Sequence, residues 1–179
     1  MMLFKNQNNS DKELIKSARK DPTQFALIFE KYGDRIFSYL FSHTRHQQEA
    51  EDITAQTFLV AMESIQQYRG DGDFCAWLFG IARNKLMDHF RQSRQVSSLE
   101  NIEIPVSSNT LDNVIHSEEI SRLSEFLNAL PEEDQELLRL RFVGEMSFPE
   151  MSVLLGKKED TIKKSVYRLM AKLQSRMKE

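Results

Sequence analysis

Apolar residues recur along this chain with the three-to-four-residue spacing of helices that bury one side. Between 25 and 40 they fall at Phe25, Ile28, Phe29, Tyr32, Ile36, Phe37, Tyr39 and Leu40, a broad stripe that predicts a core-facing helix over 23–42. Asp21, Pro22 and Gln24 stand before it as N-cap, first-turn proline and capping-box partner. A shorter helix is predicted over 11–19. The pattern returns over 49–67 through Ile53, Phe58, Leu59, Met62 and Ile65, until Gly70 and Gly72 break it. It resumes over 74–94 with Phe74, Trp77, Leu78, Ile81 and Phe90.

Residues 95–116 have a different texture. Ser, Asn and β-branched residues surround Pro105 without helical period, which predicts a flexible linker. Helical spacing reappears over 120–129, then from Pro131, with Leu137, Leu138, Leu140 and Phe142 expected inward and Gly144 as the stop. Ser147 with Glu150 forms a capping box, Pro149 lies in the tolerant first turn, and Gly156 is placed as a C-cap. After Lys157 and Lys158 a basic helix is predicted over 159–177. Helix, short turn and longer basic helix make the helix-turn-helix pattern, whose second helix lies in the major groove of DNA. The expectation is an all-α protein: two small helical domains, 1–94 and 117–179, joined by a flexible linker over 95–116, the second domain a helix-turn-helix.

A composition of 40% hydrophobic and 28% charged residues is ordinary for a globular chain. The net charge of -3 argues weakly against a nucleic-acid partner, but affinity for phosphate follows where positive charge sits rather than its sum. It sits on the last helix: Lys157, Lys158, Lys163, Lys164, Arg168, Lys172, Arg176 and Lys178, against Glu159 and Asp160, which complement the positive end of the helix dipole. Ile162, Val166, Leu169 and Leu173 would bury, leaving Asp160, Lys163, Lys164, Tyr167, Arg168 and Ala171 outward. Lys163 and Lys164 reach the groove first, Tyr167 and Arg168 a turn later, and an Arg bidentate to guanine supplies ~1–3 kcal/mol of discrimination. In 74–94, Arg83, Lys85, Arg91 and Arg94 are interleaved with the apolar positions, so one side can pack while another meets phosphate. The bland alternative, a basic helix that is only solvated, is weakened by the turn and helix that precede 159–177.

Other chemistries find less support. A lone Cys75 cannot staple the chain to itself, residues 1–13 hold no apolar run of signal-peptide length, and 37–41 is far shorter than the ~20 apolar residues of a membrane span. A cytoplasmic protein without direct membrane contact is expected, with Cys75 an inert core thiol. His43 and His46 with Glu49 suggest the ligands of a metal-dependent hydrolase, but surface His pairs are common and His89 and His116 are remote in sequence. Asp71 and Asp73 lack the later bidentate Glu of a Ca²⁺ loop. No cofactor, metal or catalytic activity is expected.

Four segments together resemble a known family: Ala50-Glu51-Asp52-Ile53-Thr54-Ala55-Gln56-Thr57-Phe58-Leu59; the loop Tyr68-Arg69-Gly70-Asp71; the spaced set Phe74, Trp77, Leu78, Ile81, Ala82, Arg83, Asn84, Asp88 and Arg91; and Leu130-Pro131 with its helix-turn-helix. In this order, with a linker in place, they resemble a bacterial sigma factor of the extracytoplasmic-function group. The resemblance implies that 1–94 engages RNA polymerase core and the promoter −10 element, and 117–179 the −35 element. It implies partners in the β′ and β subunits of polymerase, in promoter DNA and in an inhibitory anti-sigma factor. Tyr68 and Asn84 sit where the family's base-capture residues do; with Phe79 as a second wall and Arg69, Arg83 and Arg91 on the backbone, they would hold a base out of the stack. Lys163, Lys164, Tyr167 and Arg168 would read the −35 element. Asp52 and Gln56 would meet the β′ coiled coil, although Ala55 and Gln56 stand where a Gln-Glu pair is common. Lys158 replaces a usual capping Ser or Thr, and Ser165 a common Arg. The rival reading is a helix-turn-helix regulator that binds DNA without polymerase.

The linker passes a test of length. Two elements two helical turns apart lie ~70 Å from each other; small domains of radius ~11–12 Å leave roughly 45–50 Å to cross. Residues 95–116 reach ~70 Å when extended, although a relaxed coil of that length averages ~25 Å.

Overall fold

The computed structural model describes residues 7–70, 73–97 and 117–176, and every regular element among them is helical. Helix α1 (Gln7–Lys20) passes through a 3₁₀ turn at Pro22–Gln24 into α2 (Phe25–Thr44). Asp21 caps that turn, its carboxylate accepting from the Thr23 amide at 2.9 Å and the Thr23 hydroxyl at 2.7 Å. The reciprocal half of the expected capping box is replaced. The Asp21 amide donates to Ser17 O at 2.9 Å, because it still belongs to the closing turn of α1. Arg45 then ends α2 in the left-handed region at φ 53°, and His46 opens α3 (Gln47–Ser64), its Nδ1 accepting from the Glu49 amide at 3.4 Å. Helix α4 (Phe74–Ser97) runs on past 94, into the segment expected as linker.

Ile28, Tyr32, Ile36 and Leu40 of α2 meet Ile53, Phe58 and Ala61 of α3 and Leu78 and Ala82 of α4, all buried. The apolar stripes are wider than the seams between these helices. Phe29 is 50% exposed, Leu59 52% and Met62 41%, although helical spacing alone puts them inside.

The C-terminal half is built from α5 (Ser117–Asn128), α6 (Glu132–Leu138), α7 (Phe148–Leu155) and α8 (Glu159–Arg176). Between α6 and α7 the chain widens into a π turn, Arg139–Val143, in which the Gly144 amide reaches back to Arg139 O at 2.8 Å. The extra residue in that turn rotates the register, and Phe142, expected inward, is 53% exposed. Ser147 and Glu150 form the capping box, with the Ser147 amide donating to Glu150 Oε2 at 2.5 Å and the Glu150 amide to Ser147 Oγ at 3.3 Å. Gly156 closes α7 at φ 63°. Ile162, Val166 and Leu169 of α8 are buried.

The two halves share one apolar core, to which Leu140, Met146 and Met151 contribute from the C-terminal side. Phe79 of α4 lies against Gly144 so closely that a Cβ there would come 2.8 Å from its ring, and only glycine fits. Glu145 next to it takes a left-handed conformation, φ 51°. Arg35 of α2 spans this corner, donating to Gly144 O at 3.0 Å and Glu145 O at 3.2 Å. No helix among the described residues is long and apolar enough to cross a membrane.

Candidate nucleic-acid interface

The loop before α4 is held from three sides. Arg19 of α1 donates to Ile65 O at 3.0 Å and to Tyr68 O, and Gln66 Nε2 donates back to Arg19 O at 2.8 Å. Gly70 turns the chain at φ 78°, a conformation that costs a side-chain-bearing residue more than glycine. Asp73 then starts α4, its carboxylate accepting from the Ala76 amide at 3.0 Å; burial pushes its carboxyl above the usual range against that bond. Tyr68 is thereby fixed with its ring 5.4 Å from that of Phe74 and 5.1 Å from that of Trp77.

A cleft of about 610 Å³ opens beside this ring, lined by Tyr68, Arg69, Trp77, Gly80, Ile81 and Asn84 on one side and Val153 and Leu154 of α7 on the other. Tyr68 and Asn84, far apart in sequence, thus share a wall. Asn84 and Arg69 are exposed and Tyr68 is mostly buried. Phe79, expected as a second wall, is not there. It is fully buried, its ring 5.4 Å from that of Tyr39 and under Gly144. Residues 77, 81 and 84 lie on one side of α4, whereas 79 projects away from it. The apolar walls are Trp77 and Ile81, which spacing assigned to the core. Phe79→Ala is therefore expected to act on folding: a loss of about 3–5 kcal/mol in denaturant unfolding. A stability within 1 kcal/mol of wild type would contradict this placement.

The remaining candidates of α4 divide. Arg83 is engaged, its Nε 3.1 Å from Glu136 Oε1 of α6. Arg91 is exposed, paired only with Asp88 at 3.0 Å one turn back. Around Glu136 the two halves make a polar junction: Tyr39 OH donates to Oε1 at 2.8 Å, and His43 Nε2 lies 3.1 Å from Oε2. Burial would raise the Glu136 carboxyl, but the His43 ring, the Tyr39 hydroxyl and the nearby Arg83 charge outweigh it and hold it below the usual carboxylate range. His43, expected on the surface, is largely buried here because its partner comes from the other half of the chain.

On α8, Lys164, Tyr167 and Arg168 are exposed on one face. Tyr167, 63% exposed, rests edge-on against Phe148 of α7 with ring centroids 5.8 Å apart. Lys163 Nζ lies 2.7 Å from Glu159, which raises its pKa, and 5.8 Å from the Phe148 ring. Exposed Arg168 is 4.0 Å from half-buried Asp134, a long pair of little strength. The structure brings these four together and leaves their face open.

Asp52 and Gln56 lie one turn apart on the exposed face of α3, beside a small cleft completed by Lys85, Asp88, His89 and Gln92 of α4. Leu59 follows on the same face one turn later, an exposed apolar residue that the sequence reading placed in the core. A second apolar stripe on α3, Ala55, Leu59 and Met62, offset from buried Ile53, Phe58 and Ala61, was the signal for it. Cys75 is buried, 3.3 Å from Arg35 Nη2, and burial pushes its thiol well above the ordinary value. Its Sγ, Asp73 and Glu150 lie within 4.8 Å of one another, but both carboxylates are spent on helix caps.

Comparison with known proteins identifies the family. Residues 28–96 match the family model of Sigma-70 region 2, and 120–173 that of Sigma-70 region 4. The chain is 32% identical over 167 residues to the ECF RNA polymerase sigma factor BldN of Streptomyces coelicolor, an alignment that takes in 90% of this chain and 63% of BldN. It is 26% identical over 150 residues to the ECF sigma factor SigM of Bacillus subtilis, covering 83% of this chain and 91% of that one. Among solved structures it has the fold of CnrH in complex with the cytosolic domain of CnrY, with a TM-score of 0.66 at 23% identity, covering 92% and 95% of the two chains. It likewise has the fold of RpoE in complex with the anti-sigma factor NepR from Bartonella quintana, with a TM-score of 0.64 at 22% identity, covering 86% and 96%. With the two sigma regions matched in order along the chain, and relatives of one group aligned over most of it, the chain belongs to the extracytoplasmic-function group of sigma factors, which bind RNA polymerase core and direct it to promoters.

Proposed function

We propose a division of labour within this sigma factor in which the α3 face of Asp52, Gln56 and Leu59 docks on the β′ subunit of polymerase. The Tyr68–Asn84 cleft takes a base extruded from the −10 element, and Lys163, Lys164, Tyr167 and Arg168 of α8 read the −35 element. The observation that carries the −10 assignment is the convergence of an aromatic ring, an exposed amide and Arg69 on one cleft of about 610 Å³. A flipped base needs a π-face to stack on and polar groups for its edge. Arg91, on the same side of α4 two turns beyond Asn84, follows the strand backbone.

The protein supplies specificity and no catalytic group of its own. Its domains are assigned with α4 closing the first at Ser97, 117–179 forming the second and 98–116 between, and its place is the cytoplasm, beside polymerase. An anti-sigma factor is assigned as a further partner, since RpoE of the same fold was captured with one.

The test is reconstitution. Mixed with core polymerase, the chain is expected to co-elute on gel filtration and to drive transcription from promoters selected out of a random library. Duplex binding by the free chain with no association with core would establish the rival, polymerase-independent regulator instead.

A further inference from the structure

Tyr68 borders a second cleft besides the one it shares with Asn84. This cleft, of about 340 Å³, runs along α1 and is lined by Lys12, Lys16, Arg19 and Lys20 together with Gly70 and Phe74. Positions 12, 16 and 20 recur one helical turn apart on one face of α1 and span about 12 Å of its length. All three lysines are exposed, and none enters an ion pair among the described residues. Solvated lysines are ordinary on a helix surface, but two observations set these apart. The acid in the cleft is already neutralised: buried Asp11 accepts from Lys31 Nζ at 2.6 Å and from Tyr32 OH at 2.9 Å. Glu13, the other acid of α1, does not line the cleft. Arg19, between Lys16 and Lys20, also spends its guanidinium on Ile65 O at 3.0 Å and on Tyr68 O. The lysines and the Tyr68 ring are thereby held on one frame.

We propose that Lys12, Lys16 and Lys20 form a phosphate track for single-stranded DNA, holding the backbone of the strand whose base occupies the Tyr68–Asn84 cleft. Arg91 lies two turns beyond Asn84 on α4, and the lysines lie past Tyr68 in the neighbouring cleft, so the strand is gripped on both sides of the extruded nucleotide. A basic groove that follows the backbone beside an aromatic ring is how single strands are held without regard to sequence. The track therefore adds affinity and salt dependence, while the base cleft keeps the sequence preference. This rests on the assignment of the Tyr68–Asn84 cleft to the −10 element.

The test uses holoenzyme reconstituted from core and the full chain, carrying Lys12→Gln, Lys16→Gln and Lys20→Gln together, or the same three positions changed to Arg. The probes are fluorescent single-stranded oligonucleotides: one restricted to the selected −10 sequence, and two that extend it with mixed sequence on the 5′ or the 3′ side. In anisotropy titrations over a salt series, the Gln variant should bind one extended probe at least about tenfold more weakly. Its slope of log K against log salt should be smaller by about 2, roughly 0.7 for each of the three lost phosphate contacts. The short probe and the other extension should bind as to wild type, and the Arg variant should restore both affinity and slope. Equal losses on all three probes would be a general charge effect and would overturn the track, as would undiminished binding of both extended probes. A Gln variant that no longer co-elutes with core would make this face a polymerase contact and refute its role toward DNA. If Asn84→Ala binds the short probe as wild type does while the Gln variant still loses one extended probe, the base assignment falls and the track stands.

Discussion

Halving the segment 98–116 is expected to abolish promoter-directed transcription while the chain still co-elutes with polymerase core. Because α4 continues to Ser97, the tether that must span the two promoter-bound domains begins there, and its extended reach is about 63 Å. The gap to cross is roughly 45–50 Å, so the natural segment spans it only when drawn out and half of it, about 31 Å, does not. The deletion leaves α3, proposed above as the docking face for core, unchanged, so core binding should persist. The measurement is paired: run-off transcription and gel filtration on the same preparation, with a length-restoring Gly-Ser insertion as control. Run-off at wild-type yield from the shortened chain would show that the two regions do not bind their elements at once.

Asn84→Ala is expected to slow open-complex formation by on the order of 10–100-fold, the equivalent of ~1–3 kcal/mol for a lost base-edge contact. Asn84 is exposed and bonds to no core group that would be orphaned, so thermal stability and core association should stay near wild type. Permanganate reactivity of unpaired thymines reports the opening directly. Tyr68→Ala should show a larger but composite defect, since its ring also packs against Phe74 and Trp77 and truncation costs about 3–5 kcal/mol of stability. The pair separates the two roles: Tyr68→Phe, which keeps the ring, should restore stability. Wild-type opening by Asn84→Ala would remove Asn84 from the base pocket.

Most of the local structure was legible in the residues themselves, because a cap or a turn is decided within four or five positions. Ser147 and Glu150 close their box and Gly156 ends α7 as the pattern implies. Tyr68 and Asn84 were legible as a pair only through the family resemblance. The capping box at Asp21 failed for an equally local reason: its amide was already committed to the previous helix. Periodicity went wrong wherever a stripe was wider than the surface it meets. Phe29, Leu59 and Met62 are apolar and well spaced, yet each helix has room to bury only part of its apolar arc. The π turn did the same to Phe142 by adding a residue that no composition rule announces.

From its sequence alone this protein is a succession of amphipathic helices, several with readable caps, ending in a strongly basic one, because propensity, capping and charge are properties of neighbours along the chain. Which aromatic lines the cleft was decided in three dimensions: Trp77 and Ile81 face it while Phe79, only two residues from each, is sealed under Gly144. The junction at Glu136 is likewise tertiary. Tyr39, His43 and Arg83 meet it across a sequence separation that for Tyr39 is 97 residues, and no short-range pattern marks a glutamate whose partners lie in the other half of the chain. A buried carboxylate is stable only where several donors converge, and that convergence exists once the two halves have closed.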